Sequence, residues 1–409
     1  MNVIIKKRDI LYNIHLMLFV GTFIISYQLR GIVASGKLQS INLIAIIAIL
    51  IILFTLRKYL NYKLLMLILI TLLLTIYSQE INGRSIVENF VIISCVLIPT
   101  LLNVITIRDK EKFKAILFLY LKIFNFIVAL LLIFAVIDRF TNNYIAKAFA
   151  EIFNNQTFYD SVYSDANTRY YSFMGHPLYN AQLFLMFYIL NVLANRYFGK
   201  KINGVLITII SLSGVAFTAS KTAIILISIS LLTLNTYSKS KKVLYCIVLA
   251  ILVVIFFKFG IFDNIIYRFT SGTLTSGRNE MWSILQDYNI FPIKFLSGYG
   301  SGFNSIYNSY VQGASMAFEY PIKLFQLEYG VLFTIFLYII IFIYPLYTLI
   351  VRKHYTLIMS FIIVFLDVNT YNGIGLGMDI MLMFCVYTYI ILNISNYLNQ
   401  RETISLIET

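Results

Sequence analysis

AILFLYLKIFNFIVALLLIFAVI, Ala115–Ile137, holds a single charged side chain, Lys122, in a run long enough to cross a hydrocarbon core roughly 30 Å thick as one helix. A helix satisfies its backbone donors and acceptors within the segment. A membrane strand would need alternating polar and apolar positions, and the run shows no such alternation. Directly before it stand Arg108, Lys110, Lys112 and Lys114; directly after it the chain turns polar from about 138 to 176. The same pattern recurs, with apolar runs at about 10–29, 41–56, 62–77, 86–107, 115–137, 177–195, 203–219, 222–236, 243–259, 320–345, 355–368 and 374–394. The expectation is an all-α fold, a polytopic membrane helical bundle of about twelve transmembrane helices forming one integral membrane domain over 1–409.

Composition agrees. The chain is 60% hydrophobic and 12% charged, with mean hydropathy +0.83, whereas about a quarter of a soluble domain is charged. Its net charge of +14 does not point to nucleic acid, because the basic residues collect in short connections. Every second connection is basic: Lys6, Lys7 and Arg8; Arg57, Lys58 and Lys63; the cluster before Ala115; Arg196, Lys200 and Lys201; Lys239, Lys241 and Lys242; Arg352 and Lys353, with Arg401 in the tail. The opposite short connections hold only Arg30, Lys37, Arg84 and Lys221. This asymmetry predicts that both termini are cytoplasmic. The first span is expected to be retained, since charge and a second span follow it instead of a cleavage site. Cys95, Cys246 and Cys385 each sit alone in an apolar run, so the spacing offers neither a disulfide framework nor a metal knuckle.

In that orientation the two long connections, 138–176 and 260–319, both lie on the outer face, where they are expected to form a small, partly helical cap. At the end of 138–176, Arg169, Tyr170, Gly175 and His176 lead into a span that opens at Pro177, which suits the first helical turn, where its missing donor is not needed. His176 is open to two readings, a solvated helix-end residue or a binding group. Lys221 follows Ser220 in a tight turn, and either reaches a bound anion or extends to the interface.

The stretch from Thr270 to Gly330 is the longest that a bilayer would reject. In it RNEMWSILQDY predicts an amphipathic helix near 278–288, with Met281, Trp282, Leu285 and Tyr288 on one face and Arg278 in the first turn. Free backbone donors beside a guanidinium suit a phosphate group; the alternative is that Arg278 pairs with Glu280 or Asp287. Downstream, Gly298, Gly300, Gly302 and Gly313 alternate with Tyr299, Asn304, Tyr307 and serines, side chains that suit sugar hydroxyls and faces as well as an ordinary loop. Glu319, Lys323 and Glu328 enter the expected tenth span, where charges face protein or water. Glu319 and Lys323 are spaced to pair with each other. Alternatively, Glu319 accepts a proton at the lip of an outer cavity, to which Lys122, Asp367 and Asp379 are further candidates.

The sequence Arg169…Gly175-His176-Pro177, the Ser220-Lys221 turn, Ser276-Gly277-Arg278…Trp282, the Gly298/Gly300/Gly302 spacing and Glu328-Tyr329-Gly330 resembles the O-antigen ligase and Wzy-type polysaccharide polymerase superfamily. The likeness covers about 169–330 in motif order. It implies a metal-independent membrane glycosyltransferase of the GT-C kind, without a cofactor. Such an enzyme transfers a glycan from undecaprenyl pyrophosphate to a hydroxyl of another lipid-linked repeat unit outside the membrane, as in capsule, exopolysaccharide or O-antigen biosynthesis. By that resemblance Arg169 and Arg278, with Lys221, engage the pyrophosphate; Tyr170, Trp282, Tyr299, Asn304 and Tyr307 are the candidate glycan contacts. The implied partners are the lipid-linked oligosaccharide, membrane lipids, a chain-length regulator and a flippase. The sequence departs from the family by carrying Glu319 where many members have histidine, so the acceptor base is Glu319 or else His176. Two other functions compete: ligase-type transfer of finished polymer to a final acceptor, and transport of lipid-linked sugars, which would place charged or broken helices near the midplane.

Overall fold

The computed structural model describes residues 2–34, 36–153, 156–164, 169–234, 278–312, 318–371, 373–375 and 379–407, with isolated positions between 235 and 277. Among them every regular element is helical, and one isolated bridge joins Leu60 to Ile105. In chain order the helices are α1 (Asn2–Phe23), α2 (Tyr27–Arg30), α3 (Leu43–Thr55), α4 (Tyr62–Ile81), α5 (Ile86–Val104), α6 (Lys110–Phe140), α7 (Tyr144–Ile152), α8 (Gln156–Tyr163) and α9 (Pro177–Tyr197). They continue with α10 (Gly204–Thr218), α11 (Lys221–Leu234), α12 (Arg278–Tyr288), α13 (Phe303–Tyr310), α14 (Pro321–Tyr329), α15 (Val331–Val351), α16 (Tyr355–Thr370) and α17 (Ile380–Ile407).

Six of the described helices are long and apolar enough to cross a membrane: α4, α5, α6, α9, α15 and the Ile380–Gln400 part of α17. Five further expected spans correspond to the shorter apolar helices Ile10–Phe23, α3, α10, α11 and α16. Thirteen residues in α3 rise only about 20 Å, less than a full hydrocarbon core. Polar caps set where several helices begin. Asn42 accepts from the Ala45 N–H, Asn61 from Leu64 and Asn203 from Val205, while Ser85 and Glu88 form a reciprocal capping box. Apart from isolated positions, the expected ninth span lies outside the described residues, as do the basic residues 239, 241 and 242, Cys246, Gly313 and the 271–277 turn.

The chain forms two compact units. One comprises Met1–Ile25, Ser35–Tyr120 and Gly277–Thr409; the other comprises Ser26–Ala34 and Leu121–Ser276. In the first unit α17 is the most enclosed helix and packs on α1, α5, α15 and α16. Buried hydrogen bonds tie this apolar body together: His15 to the Tyr389 hydroxyl at 2.9 Å, the Ile107 N–H to Asn393 Oδ1 at 2.7 Å, and Asn103 to the Ile340 carbonyl at 3.3 Å. In the second unit α9 is the central helix against α10 and α11. Gly214 permits the approach, since a Cβ there would stand 2.2 Å from the Phe184 ring. Asn125 and Asn191 exchange hydrogen bonds at 2.9 and 2.8 Å.

The expected tenth span, 320–345, is not one helix. Gly330, at φ +92°, ends α14, and α15 starts at Val331. The first donors of α15 are taken by the preceding loop, Val331 N–H by Lys294 O at 3.1 Å and Leu332 N–H by Phe295 O at 3.0 Å. A side chain at position 330 would be strained at this φ and would meet the Phe295 carbonyl at 3.0 Å. Glu319, Lys323 and Glu328 therefore precede the spanning helix instead of entering it. The long connection at 138–176 holds α7 and α8.

Candidate functional site

The polar stretch after Gly277 folds within the first unit, on the end of α4. Arg278 opens α12, and its Nε pairs with Glu319 Oε2. The Trp282 indole donates to the Glu319 carbonyl at 2.6 Å, and the Tyr320 hydroxyl donates to Asn279 Oδ1 at 3.0 Å. Three contacts thus bind the first turn of α12 to residues 319 and 320. The local pairings Arg278 with Glu280 or Asp287, and Glu319 with Lys323, are not formed. Lys323 instead sets its ammonium 5.2 Å from the Trp282 ring centre. Among the described residues the Arg278 Nη atoms make no hydrogen bond, so they stand as donors beside the start of an 11-residue helix.

Several expected sugar contacts have structural duties. Trp282 and Tyr307, each 3% exposed, sit in an apolar cluster with Leu285, Phe303, Phe318, Leu324 and Leu327. Asn304 Oδ1 accepts the Phe318 N–H at 2.9 Å. The Tyr299 hydroxyl donates to the Pro292 carbonyl at 2.8 Å, and Lys294 lies 4.0 Å over its ring. Tyr288, expected on one face of α12 with Trp282 and Leu285, is 72% exposed while those two are buried. Beside Trp282, between α12, residues 289–293 and α14, lies a cavity of about 350 Å³.

Glu328 organises the glycine loop. Its Oε1 accepts the Gly302 and Phe303 N–H groups at 2.9 and 3.0 Å, filling the donor end of α13. Its backbone carbonyl accepts the Ser78 hydroxyl at 3.1 Å and the Gly300 N–H at 3.0 Å, while Leu327 O accepts the Tyr299 N–H at 2.7 Å. From the end of α4, Gln79 Oε1 accepts the Ser301 N–H at 3.3 Å, and Asn82 donates to the Gly298 carbonyl at 3.1 Å. Gly298 lies so close that a Cβ would stand 2.1 Å from the Glu328 carbonyl carbon. Burial pushes the Glu328 carboxyl up to about 7, against the two backbone donors and the Arg84 charge, which favour the ionised form. Arg84 itself donates to the Tyr299 carbonyl at 3.2 Å. Sequence reading missed this centre. Arg84 was visible only as a basic residue on the sparse side of the charge pattern.

In the second unit, Arg169 Nε donates to the Thr218 carbonyl at 3.0 Å, at the C-terminal end of α10, where a cation is favoured. The Tyr170 N–H donates to Phe217 O at 3.0 Å. Its ring lines a cavity of about 120 Å³ with Asp138, Arg139 and Asn143. Burial, and then the Asp138 charge, hold the Tyr170 phenol well above its ordinary value, so it stays protonated. His176 caps α9: its Nδ1 accepts the Leu178 N–H at 3.2 Å. Burial and the Arg169 charge push its imidazole down to about 4. The ring is therefore neutral near pH 7, and the cap assigns its proton to Nε2, a donor and not a base. Lys221 is the first residue of α11 and is half-buried. Lys122 is exposed on α6; Asp379 is buried in the first unit, 3.4 Å from the Asn42 amide, and Asp367 is buried in α16.

Comparison with protein-family models, with curated proteins and with solved structures finds no match to this chain.

Proposed function

We propose that the chain is a membrane glycosyltransferase that polymerises lipid-linked oligosaccharide repeat units at the outer face of a bacterial plasma membrane, with about twelve spans and cytoplasmic termini. The observation that carries this reading is Arg278. It opens a helix, is held at Nε by Glu319 and keeps its Nη donors out of that contact, and Trp282, one turn along the same helix, lines a cavity. In the proposed reaction an acceptor hydroxyl attacks the anomeric carbon, the bond to the lipid pyrophosphate breaks, and the hydroxyl proton passes to a base. Charge develops on the leaving pyrophosphate, and a fixed guanidinium with helix-end donors stabilises it in place. Glu319 is the proposed base through Oε1, the oxygen outside the Arg278 contact. The neutral Nε2–H form of His176 argues against that residue as the alternative base. For Arg169 and Lys221 the pyrophosphate role rests on the sequence resemblance.

Incubation of the purified protein with its lipid-linked repeat tests the proposal. A ladder of products differing by one repeat supports polymerisation, whereas transfer of preformed polymer to a distinct acceptor marks ligase activity. A second reading, transport of lipid-linked sugars, draws on the π-helical turns at Ile93–Leu97 and Ile339–Ile343 inside two candidate spans. Movement of labelled lipid across liposomes without any new glycosidic bond would favour it.

A further inference from the structure

We propose that the 350 Å³ cavity between α12 and α14 binds an acidic sugar residue of the glycan, a pyranose carrying a carboxylate or phosphate. Its volume falls in the range of small-ligand pockets, about 300–1,000 Å³. One wall is formed by Trp282, Leu285 and Leu327, apolar side chains suited to the C–H face of a pyranose. The indole cannot swing away freely, because its N–H is held by the Glu319 carbonyl at 2.6 Å. Opposite chemistry comes from the amides of Gln286, Asn289 and Gln326, which supply donors and acceptors together, as neighbouring hydroxyls require.

Lys323 decides the charge of the ligand. Among the described residues it is the one charged residue lining the cavity, and it has no carboxylate partner. The acid spaced to neutralise it, Glu319, is taken by Arg278 instead. The ammonium is left between the Trp282 and Tyr320 rings, 5.2 and 5.8 Å from their centres. A half-buried point charge beside a sugar-sized space is matched by an anionic substituent, whose charge-assisted contact is stronger than any a neutral hydroxyl makes. A neutral hexose would satisfy the amides and leave the ammonium uncompensated.

This assignment rests on the glycan reading above, yet it is tested by binding and not by transfer, so the two fail separately. Trp282 is the chain's only tryptophan, so all tryptophan emission comes from a residue that lines this cavity. Full-length protein in detergent is titrated with methyl glucuronide, glucose 6-phosphate and methyl glucoside. The expected result is a saturable emission change with at least one of the two acidic sugars, at an affinity about tenfold or more above that of the glucoside; the arm that binds more tightly identifies the anion. Lys323→Ala brings all three sugars within about twofold of one another, and Lys323→Arg restores the preference. Unchanged helical circular dichroism in both variants shows that the fold survives. Equal binding of the glucoside, a preference that persists in Lys323→Ala, or no response to any sugar overturns the proposal.

Discussion

Arg278 and Glu319 form an ion pair across 41 positions of sequence, and the partner that local spacing offers to Glu319, Lys323, is thereby left facing a cavity. One side chain's choice of partner separates two electrostatic environments on the same short stretch of α12 and α14.

The first prediction concerns that pair. Arg278→Ala abolishes polymer elongation while membrane insertion is retained. Arg278→Lys keeps a reduced level, about tenfold below wild type, because an ammonium replaces the charge but not the planar fork. Glu319→Gln slows transfer and leaves donor binding intact. Gel analysis of glycan length and binding of labelled donor check these outcomes; wild-type chain lengths in Arg278→Ala would remove Arg278 from the donor site.

Glu328 predicts a pH dependence of the glycine loop. Its folded-state value, about 7, lies above the ordinary 4.5, so the assembled loop binds more protons than the open one. The stability this confers is fully present below about 4.5 and is lost as pH rises through about 7. Limited proteolysis at 297–303 should accelerate between pH 5 and 8 in the wild type. Glu328→Gln keeps an acceptor for Gly302 and Phe303 and should flatten the profile, because it mimics the protonated acid. A pH response that survives in Glu328→Gln assigns the titration to another group.

His176 is expected to act as a helix cap. Asparagine is among the best residues at that position, so His176→Asn should retain both stability and elongation. His176→Ala should lose about 0.5–2 kcal/mol of stability. Thermal melting alongside the elongation assay separates the roles, and inactivity of a well-folded His176→Asn would place the imidazole in the chemistry after all.

Two glycines in one loop should respond differently. At Gly298 any side chain meets the Glu328 backbone at 2.1 Å, so Gly298→Ala should prevent the loop from docking on α14. At Gly302, φ +78°, nothing lies within 4 Å of an added Cβ, and asparagine tolerates that backbone. Gly302→Asn should therefore protect 297–303 from protease nearly as well as wild type. Equal sensitivity of the two variants would contradict the close packing at position 298.

What the sequence disclosed, and what it hid, follows from the range of the forces involved. Apolar runs such as Ala115–Ile137 depend only on their own composition, and the helix that opens at Arg278 depends on local periodicity and start signals; both were legible. The break at Gly330 was not, because hydropathy climbs through Tyr329-Gly330-Val331 without a dip, and only the Lys294 and Phe295 carbonyls make a new helix start there. Glu328 looked like a charge within a span, and Arg84 like a topological exception. Their meeting around the 298–303 loop depends on contacts between distant segments that no local pattern encodes.

The link from Ser78 to Glu328 spans 250 positions. At synthesis rates of about 5–20 residues per second, the polar end of α4 waits on the order of ten to fifty seconds for its partner to emerge. Throughout that interval Ser78 and Gln79 lack the loop they hold in the finished protein, so the polar end of α4 is completed only after most of the chain has been made.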